Sequence, residues 1–285
     1  MIEIFEEVIH HGIHDTVKML PFLMAAFLVL ETMEHYSGNI IGRSFEKAGK
    51  AGPLIGALTG CIPQCGFSVM AANLYAGGII TVGTLIATFI ATSDEAILIM
   101  MGNPGRVREV FLLLMTKVVI GIAAGYIANN CLCTKITTPK QSGILCGKCG
   151  CQEHDAGILK PAIRHTVRIY IYILVFTIGL NLIIEMIGLE RVSAFLMRDT
   201  IFQPIISAII GLIPNCASSV VITQMYLNDV ISFGAVISGL CTGAGTGLIV
   251  LFKTNNNRIE NLKIVGIMFV VAAIAGIVLE IIAGL

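Results

Sequence analysis

The chain has 285 residues, of which 56% are apolar and only 13% are charged, whereas soluble domains average about 25% charged residues. Its mean hydropathy is +0.89 and its formal net charge is zero. These values exclude an ordinary soluble enzyme, and the charge balance gives no sign of nucleic-acid binding.

In chain order, the apolar windows predict an all-α polytopic membrane protein with about ten transmembrane or half-membrane helices. The windows lie at 17–35, 51–62, 66–77, 79–101, 108–128, 169–187, 201–213, 217–227, 230–252 and 263–284. A helix over 51–62, 66–77 or 217–227 is only about 18 Å long, and 201–213 is barely longer. None of these four reaches the roughly 30 Å of a hydrocarbon core, so we expect half-helices or re-entrant arms there.

The two halves of the chain align with each other when the sequence is shifted by 151 residues. GCIPQCGFSV at 60–69 then lies over GLIPNCASSV at 211–220 without a gap. Each unit holds five segments, or three spans and a re-entrant pair, so either count is odd and the second copy enters the membrane upside down. The pattern predicts two inverted-topology repeats with broken or re-entrant helices at Pro63 and Pro214, which is typical of secondary transporters.

The same patterns predict how the chain is divided and oriented in a plasma membrane. Most Lys and Arg residues fall on one side of the predicted spans, which places that side in the cytoplasm and both termini outside. The predicted parts are an extracytoplasmic N-terminal segment (1–16), a first membrane repeat (17–128), a cytoplasmic cysteine-rich loop (129–165) and a second membrane repeat (166–285).

The two proline breaks are the first candidate site. Proline ends a helix, and unpaired backbone at membrane depth is tolerated only inside protein or beside a watery cavity. The carbonyl end of one arm suits a cation, and the amide end of the next suits an anion. Candidate substrate-path residues at the breaks are Gln64, Cys65, Ser68, Asn215, Cys216 and Ser219. The alternative is a pair of proline kinks with small residues for close packing.

Two adjacent carboxyl groups form the second candidate site. Asp94 and Glu95 lie within the apolar window 79–101, and ionisable residues deep in a membrane usually mark an ion or proton path. The alternative is that both lie near the outer boundary, neutralised by Arg106 or Arg108.

Other ionisable residues of the spans are further candidates for the substrate path. Lys117 falls near the middle of 108–128, where a lone ammonium is costly, so we expect Asp94 or Glu95 as its partner. Glu34 and Glu185 occupy equivalent positions of the two repeats, and a gate or ion relay would explain both.

The loop 129–165 combines CxC and CxxC spacing. A disulfide framework is not expected in the cytoplasm, and thiolates suit zinc, Cu(I), cadmium or trivalent arsenic, so the spacing favours a soft-metal site. Its candidate ligands are Cys131, Cys133, Cys146, Cys149, Cys151 and His154. The alternative is a linker whose cysteines are incidental.

Four motifs together resemble the ten-transmembrane heavy-metal exporter family, whose members are labelled arsenic efflux proteins or manganese transporters. They are ETMEHY at 31–36, PQCGFS at 63–68, ATSDEA at 91–96 and PNCASS at 214–219. The resemblance covers nearly the whole chain and implies efflux of a metal or metalloid.

The leading hypothesis is a secondary transporter, not an enzyme and without a cofactor, that exports manganese, zinc, cadmium or arsenite by alternating access. Membrane lipid, the transported ion and a coupling proton would be its partners. In the membrane, Asp94, Glu95, Cys65 and Cys216 would bind the metal, in a mixture of oxygen and thiol ligands that does not distinguish hard from soft ions. An anion permease that uses the helix amide ends is the alternative. A membrane redox enzyme in which Cys61, Cys65 and the thiols of the loop carry electrons is a third possibility, although no cofactor motif accompanies it.

Overall fold

The computed structural model describes the helical core of both halves of the chain. The residues described are 17, 20, 21, 24, 25, 27, 28, 51–62, 65–92, 94–101, 106–132, 159, 162–164, 166–171, 174, 175, 178, 179 and 202–283, without the side chains at 65, 94, 95, 98, 132, 216, 217 and 283. Across these ranges the regular elements are helices and no strand occurs, which confirms the predicted all-α fold.

Besides the helical residues described between 17 and 28 and between 159 and 179, the structure gives the bounds of ten helices, which fall into two sets of five. The first half contains α1 (Gly52–Gly60), α2 (Cys65–Ala76), α3 (Val82–Ala91), α4 (Asp94–Met101) and α5 (Val107–Leu132). The second half contains α6 (Gln203–Gly211), α7 (Cys216–Leu227), α8 (Phe233–Thr242), α9 (Thr246–Thr254) and α10 (Arg258–Ala283). Four starts differ by 151 residues (203 minus 52, 216 minus 65, 233 minus 82, 258 minus 107), and α9 starts 152 after α4.

Three stretches of the described chain are long and apolar enough to cross a membrane. They are Val107–Cys131, Phe233–Thr254 and Arg258–Ile282. The first and last coincide with α5 and α10, whose outward faces carry exposed apolar side chains such as Val119 and Ile274. The middle stretch comprises α8 and α9 and is almost wholly buried inside the protein. The exposed apolar faces of α5 and α10 are therefore suited to contact with lipid, whereas α8 and α9 lie inside the protein.

Two windows that the sequence presents as continuous helices are broken in the structure. The window 79–101 is interrupted after Ala91, because Thr92 adopts an extended backbone (φ −59°, ψ 128°). The window 230–252 is interrupted between α8 and α9, where Gly245 has φ 52° and ψ −136°, a conformation essentially restricted to glycine. The expectation of two unbroken spans is wrong, since apolar content alone does not show a local change of backbone.

In the first half, α1 and α2 form a hairpin. A Cβ on Gly52 would meet Thr84 Oγ1 at 2.3 Å, and a Cβ on Gly60 would meet Thr88 O at 2.5 Å. Helices α1 and α3 therefore run side by side in the same direction, so α2 must bring the chain back to the end where α1 began. Helix α5 runs against α3, because Gly83 N at the start of α3 donates to Asn129 Oδ1 near the end of α5 (2.9 Å).

The second half repeats this arrangement. Ser232 N, just before α8, donates to Gln203 Oε1 at the start of α6 (3.0 Å), and Thr242 Oγ1 at the end of α8 donates to Ala208 O (2.8 Å). Helices α6 and α8 thus run in the same direction, and α7 is the returning arm. The arms also pack across the halves, since α2 lies against α9 and α4 lies against α7.

Small residues allow the central helices to approach each other closely. A Cβ on Gly83 would lie 2.1 Å from Gly125 O, and a Cβ on Gly234 would lie 2.5 Å from Gly276 O. Both contacts join a broken helix to the long helix beside it. Since lipid tails are as apolar as leucine, such close packing is a main source of association between membrane helices.

Candidate functional site

The side chains of several predicted site residues lie outside the described part of the chain. For four of them the structure gives the backbone alone, and it places Cys65, Asp94 and Cys216 at the first positions of α2, α4 and α7, with Glu95 next to Asp94. The remaining predicted residues that fall outside the described ranges are Glu34, Gln64, Cys133, Cys146, Cys149, Cys151, His154 and Glu185. The described part of the candidate site therefore consists of Ser68, Lys117, Asn215, Ser219 and the backbone of the breaks.

Lys117 joins the broken helices of the two halves. Its side chain is fully buried in α5, and its Nζ donates to Thr92 O of the first half and, at 2.8 Å, to Leu240 O of the second. Thr92 O lies at the carbonyl end of α3, and Leu240 O is among the last carbonyls of α8, which lack a partner within the helix. Because the carbonyl end of a helix carries partial negative charge, both ends favour the ammonium group.

The structure thus answers part of the expectation for Lys117. The sequence predicts Asp94 or Glu95 as its partner, and those side chains lie outside the described residues. Two backbone carbonyls are added, which no side-chain motif could reveal. The position 151 residues further along the chain is Met268, which is also fully buried, so the charge is present in one half alone at this pair of positions.

Ser219 lies beside the same break as Leu240. A Cβ on Gly243 would meet Ser219 Oγ at 3.5 Å and Leu240 O at 3.6 Å. The first turn of α7 therefore touches the point where α8 ends, and Lys117 donates to a carbonyl on the other side of that point. The structure brings together two of the predicted residues, Lys117 and Ser219, around the break after α8.

Ser68, the residue equivalent to Ser219 at the shift of 151, makes a different contact, between α2 and α9 of the other half. A Cβ on Gly247 would lie 2.7 Å from Ser68 Cβ and 3.0 Å from both Ser68 Oγ and Phe89 Cε1. The first turns of α2 and α9 are therefore in direct contact. Thr246, which opens α9, has a buried hydroxyl without a hydrogen-bond partner in the described part of the protein.

Ser218 bonds to the backbone of the second proline break. Asn215 is buried, and Ser218 Oγ donates to Asn215 O (2.7 Å) and to Ile213 O (3.1 Å). Both carbonyls also accept a backbone amide, Ile213 O from Asn215 N (2.7 Å) and Asn215 O from Ser218 N (3.2 Å), so the serine hydroxyl adds to a turn that the backbone already closes. Ser218 is therefore a structural residue of the break, whereas Ser219 faces the neighbouring helix α8.

Charged residues at the ends of the helices form a separate cluster. Arg106 Nη1 lies 3.1 Å from Glu109 Oε2, and Arg106 Nη2 lies 3.1 Å from Asp229 Oδ1. These hydrogen bonds, first that to Glu109, raise the pKa of Arg106. The suggestion that Arg106 neutralises Asp94 or Glu95 is therefore not needed to explain its position. Tyr226 OH also donates to Glu109 Oε2 (2.8 Å), a contact that the sequence analysis missed.

Of the predicted metal ligands, Cys131 alone has its side chain within the described part of the chain. Among the described side chains, no three His, Cys, Asp or Glu residues are grouped closely enough to hold a metal ion. Cys131 is exposed at the end of α5 with a free thiol, at the start of the cysteine-rich loop whose other members lie outside the described residues. The proposed metal ligands of the membrane and of the loop remain predictions.

The helix ends at the breaks determine which charges this region can bind. The carbonyl ends of α3 and α8 meet at a buried ammonium group, while α2, α4, α7 and α9 begin at the breaks with their amide ends. Cation-favouring and anion-favouring backbone groups therefore lie within one buried region.

Comparison with known proteins gives one match. The family model described as “Putative, 10TM heavy-metal exporter” matches residues 3–91, 23–190 and 173–284, which together span nearly the whole chain. No curated protein and no solved structure shows significant similarity to this chain.

Proposed function

The chain belongs to the 10TM heavy-metal exporter family, and on this premise we propose that it is a secondary transporter that exports a metal or metalloid ion by alternating access around its broken helices. The single observation that carries the mechanism is the bridge from Lys117 to the carbonyl ends of both halves. A buried charge that joins two moving parts is suited to a step in which an ion is exchanged across the membrane.

Alternating access requires two halves that can rock against each other. The equal spacing of the helix starts and the crosswise packing of α2 on α9 and α4 on α7 support an inverted repeat of this kind. Within each half the hairpin and the broken helix lie side by side. Because α2 packs on α9 and α7 packs on α4, movement of one hairpin would change the environment of the other half's break.

We propose that the exported ion binds at the starts of α2, α4 and α7. Asp94, with Glu95, would neutralise or ligate the ion, and Cys65, Cys216, Gln64 and Asn215 would complete a mixed shell of oxygen and sulfur. Oxygen ligands favour manganese, whereas thiolates favour zinc, cadmium or arsenite. Glu34 and Glu185 would serve the coupling proton, and the cysteine-rich loop would capture or sense the ion in the cytoplasm.

The test is elemental analysis of cells that express the protein and are challenged separately with manganese, zinc, cadmium and arsenite. We expect lower accumulation of one element, and restoration of its accumulation by Asp94→Asn. Cys65→Ser and Cys216→Ser form the matched comparison, because only a thiophilic cargo needs the thiols. Unchanged accumulation of all four elements at wild-type expression would refute metal export.

A second candidate function is an anion permease. The buried amino group of Lys117 and the amide ends of the helices that begin at the breaks, α2, α4, α7 and α9, favour a negatively charged or oxyanionic substrate. This candidate predicts that Asp94→Asn leaves transport intact or improves it, because the carboxylate would repel the substrate. The same variant therefore separates the two functions by the sign of its effect.

A further inference from the structure

Each half of the protein ends its returning arm with a tyrosine that is bonded to the other half. Tyr75, at the end of α2, donates its hydroxyl to Glu260 in the first turn of α10. Tyr226, at the end of α7, donates to Glu109 in the first turn of α5 (2.8 Å). Both tyrosines and both glutamates are separated by the repeat shift of 151 (226 minus 75, 260 minus 109). The same bond is therefore made twice.

The two bonds lie at opposite ends of the helices. Glu109 opens α5, whereas Asn129, at the far end of α5, receives Gly83 N at the start of α3. Tyr75 lies one tight turn before α3 begins, so its bond belongs to the Asn129 end. Glu109 and Asn129 are twenty residues apart in one helix, which is about 30 Å and close to the thickness of a hydrocarbon core.

Each bond holds the free end of an arm whose other end is a break. Helices α2 and α7 end in the same kind of turn, with Gly78 at φ 74° and Asp229 at φ 55°, and both tyrosine side chains are buried. An arm that swings about its break cannot move away from the opposite half without breaking its tyrosine–glutamate bond. Each bond therefore fixes the position of one arm.

We propose that these bonds are two gate latches, one at each membrane face, and that they open in alternation during transport. The inference rests on the proposed alternating-access function. In the structure both latches are closed, which corresponds to an occluded state. Opening the Tyr226–Glu109 latch gives access from one face, and opening the Tyr75–Glu260 latch gives access from the other.

The latches are unequal. Arg106 bonds to both Glu109 and Asp229, and its guanidinium carbon lies 5.7 Å from the ring centroid of Tyr226. At the other latch the equivalent positions are Asn257 and Gly78, which provide no charge. The Tyr75–Glu260 latch therefore opens more often. The distribution of Lys and Arg predicts that this latch faces the cytoplasm, where an exporter must wait for its cargo.

The test is hydrogen exchange measured by mass spectrometry on the purified full-length chain in lipid nanodiscs. Tyr226→Phe removes one latch hydroxyl, so amides near 106–112 and 218–230 should exchange about tenfold faster, since hydrogen bonds to charged groups are among the stronger ones. Amides near 70–80 and 256–262 should exchange more slowly, because states with that latch open become less populated. Tyr75→Phe should give the reverse pattern.

Tyr126→Phe is the matched control, because Tyr126 is exposed on the side of α5 and should change neither region. If a phenylalanine variant does not fold, Glu109→Gln and Glu260→Gln weaken the same bonds more gently and should shift exchange in the same directions.

Faster exchange at the mutated end with no slowing at the other end would overturn the latch proposal, because a purely structural bond has that effect. Reciprocal changes in a chain that exports none of the four elements would support the latches while refuting metal export.

Discussion

Replacing Lys117 by methionine tests whether the bridge between the broken helices is part of the transport mechanism. Methionine is the matched choice because the equivalent position of the second half is already the buried Met268. The substitution removes the ammonium group and leaves Thr92 O and Leu240 O without the donor they have in the native protein. It keeps an unbranched side chain of similar length.

The expected effect on stability follows from two opposing terms. Two hydrogen bonds from a charged donor contribute about 3 to 6 kcal/mol together. Burying a lysine at the centre of a membrane helix costs about 2.5 to 3.5 kcal/mol on insertion scales, and methionine removes this cost. From these two contributions the free energy of unfolding should fall by no more than about 3.5 kcal/mol, while the direct link between α3 and α8 through residue 117 is lost.

Export and folding are measured separately in this experiment. We expect export of the ion identified by elemental analysis to fall at least tenfold, whereas the protein still elutes as a folded species. Thermal stability is best followed by size-exclusion chromatography after heating, because the chain has no Trp for intrinsic fluorescence. Lys117→Arg keeps the charge and should retain part of the activity. Export at the wild-type rate by Lys117→Met would refute the mechanistic role of the bridge.

Two glycine substitutions test the packing and the backbone of the site. Gly247→Ala forces its Cβ to within 2.7 Å of Ser68 Cβ and should lower the free energy of unfolding by about 1 to 3 kcal/mol. Gly266→Ala is its control, because nothing lies within 4 Å of the added Cβ, and it should be nearly neutral in the same heating assay. Gly245→Ala should cost about 1 to 3 kcal/mol because of its backbone strain, and Gly243→Ala, at ordinary contact distances, should melt close to the wild type. Equal melting temperatures for Gly247→Ala and Gly266→Ala would contradict the packing argument, and equal melting temperatures for Gly245→Ala and Gly243→Ala would contradict the strain argument.

The sequence predicts the breaks at the two prolines because proline has a direct effect on the backbone. The apolar windows do not predict the breaks after Ala91 and Thr242. Local signals for both are nevertheless present, since Ser93 and Asp94 are good helix-capping residues and Gly245 marks a position open to positive φ. An apolar window reports the depth of a segment in the membrane, not the continuity of its helix. Helix-capping residues inside such a window therefore indicate interruptions of the helix that mean hydropathy does not show.

The partners of the buried and terminal polar groups were harder to predict. Lys117 can be recognised in the sequence as a charged residue near the middle of a span. The carbonyl oxygens that accept its hydrogen bonds belong to the backbone, which is the same at every residue, so the sequence does not single them out. The four residues of the tyrosine–glutamate pairs can be recognised in the sequence, because Tyr75 aligns with Tyr226 and Glu109 with Glu260 at the same shift. What the alignment cannot show is that each tyrosine bonds to the glutamate of the opposite half.

The crosswise packing of α2 on α9 and of α4 on α7 makes each half depend on the other for the burial of its helices. Helix α2 finds its main partner in α9, and α4 finds it in α7, so a half chain produced alone would leave two of its arms uncovered. A single-copy form of this unit would have to pair with an identical chain around a two-fold axis, each copy covering the arms of the other. Joining two copies in one polypeptide replaces that encounter by an intramolecular one, which guarantees a partner at high effective concentration.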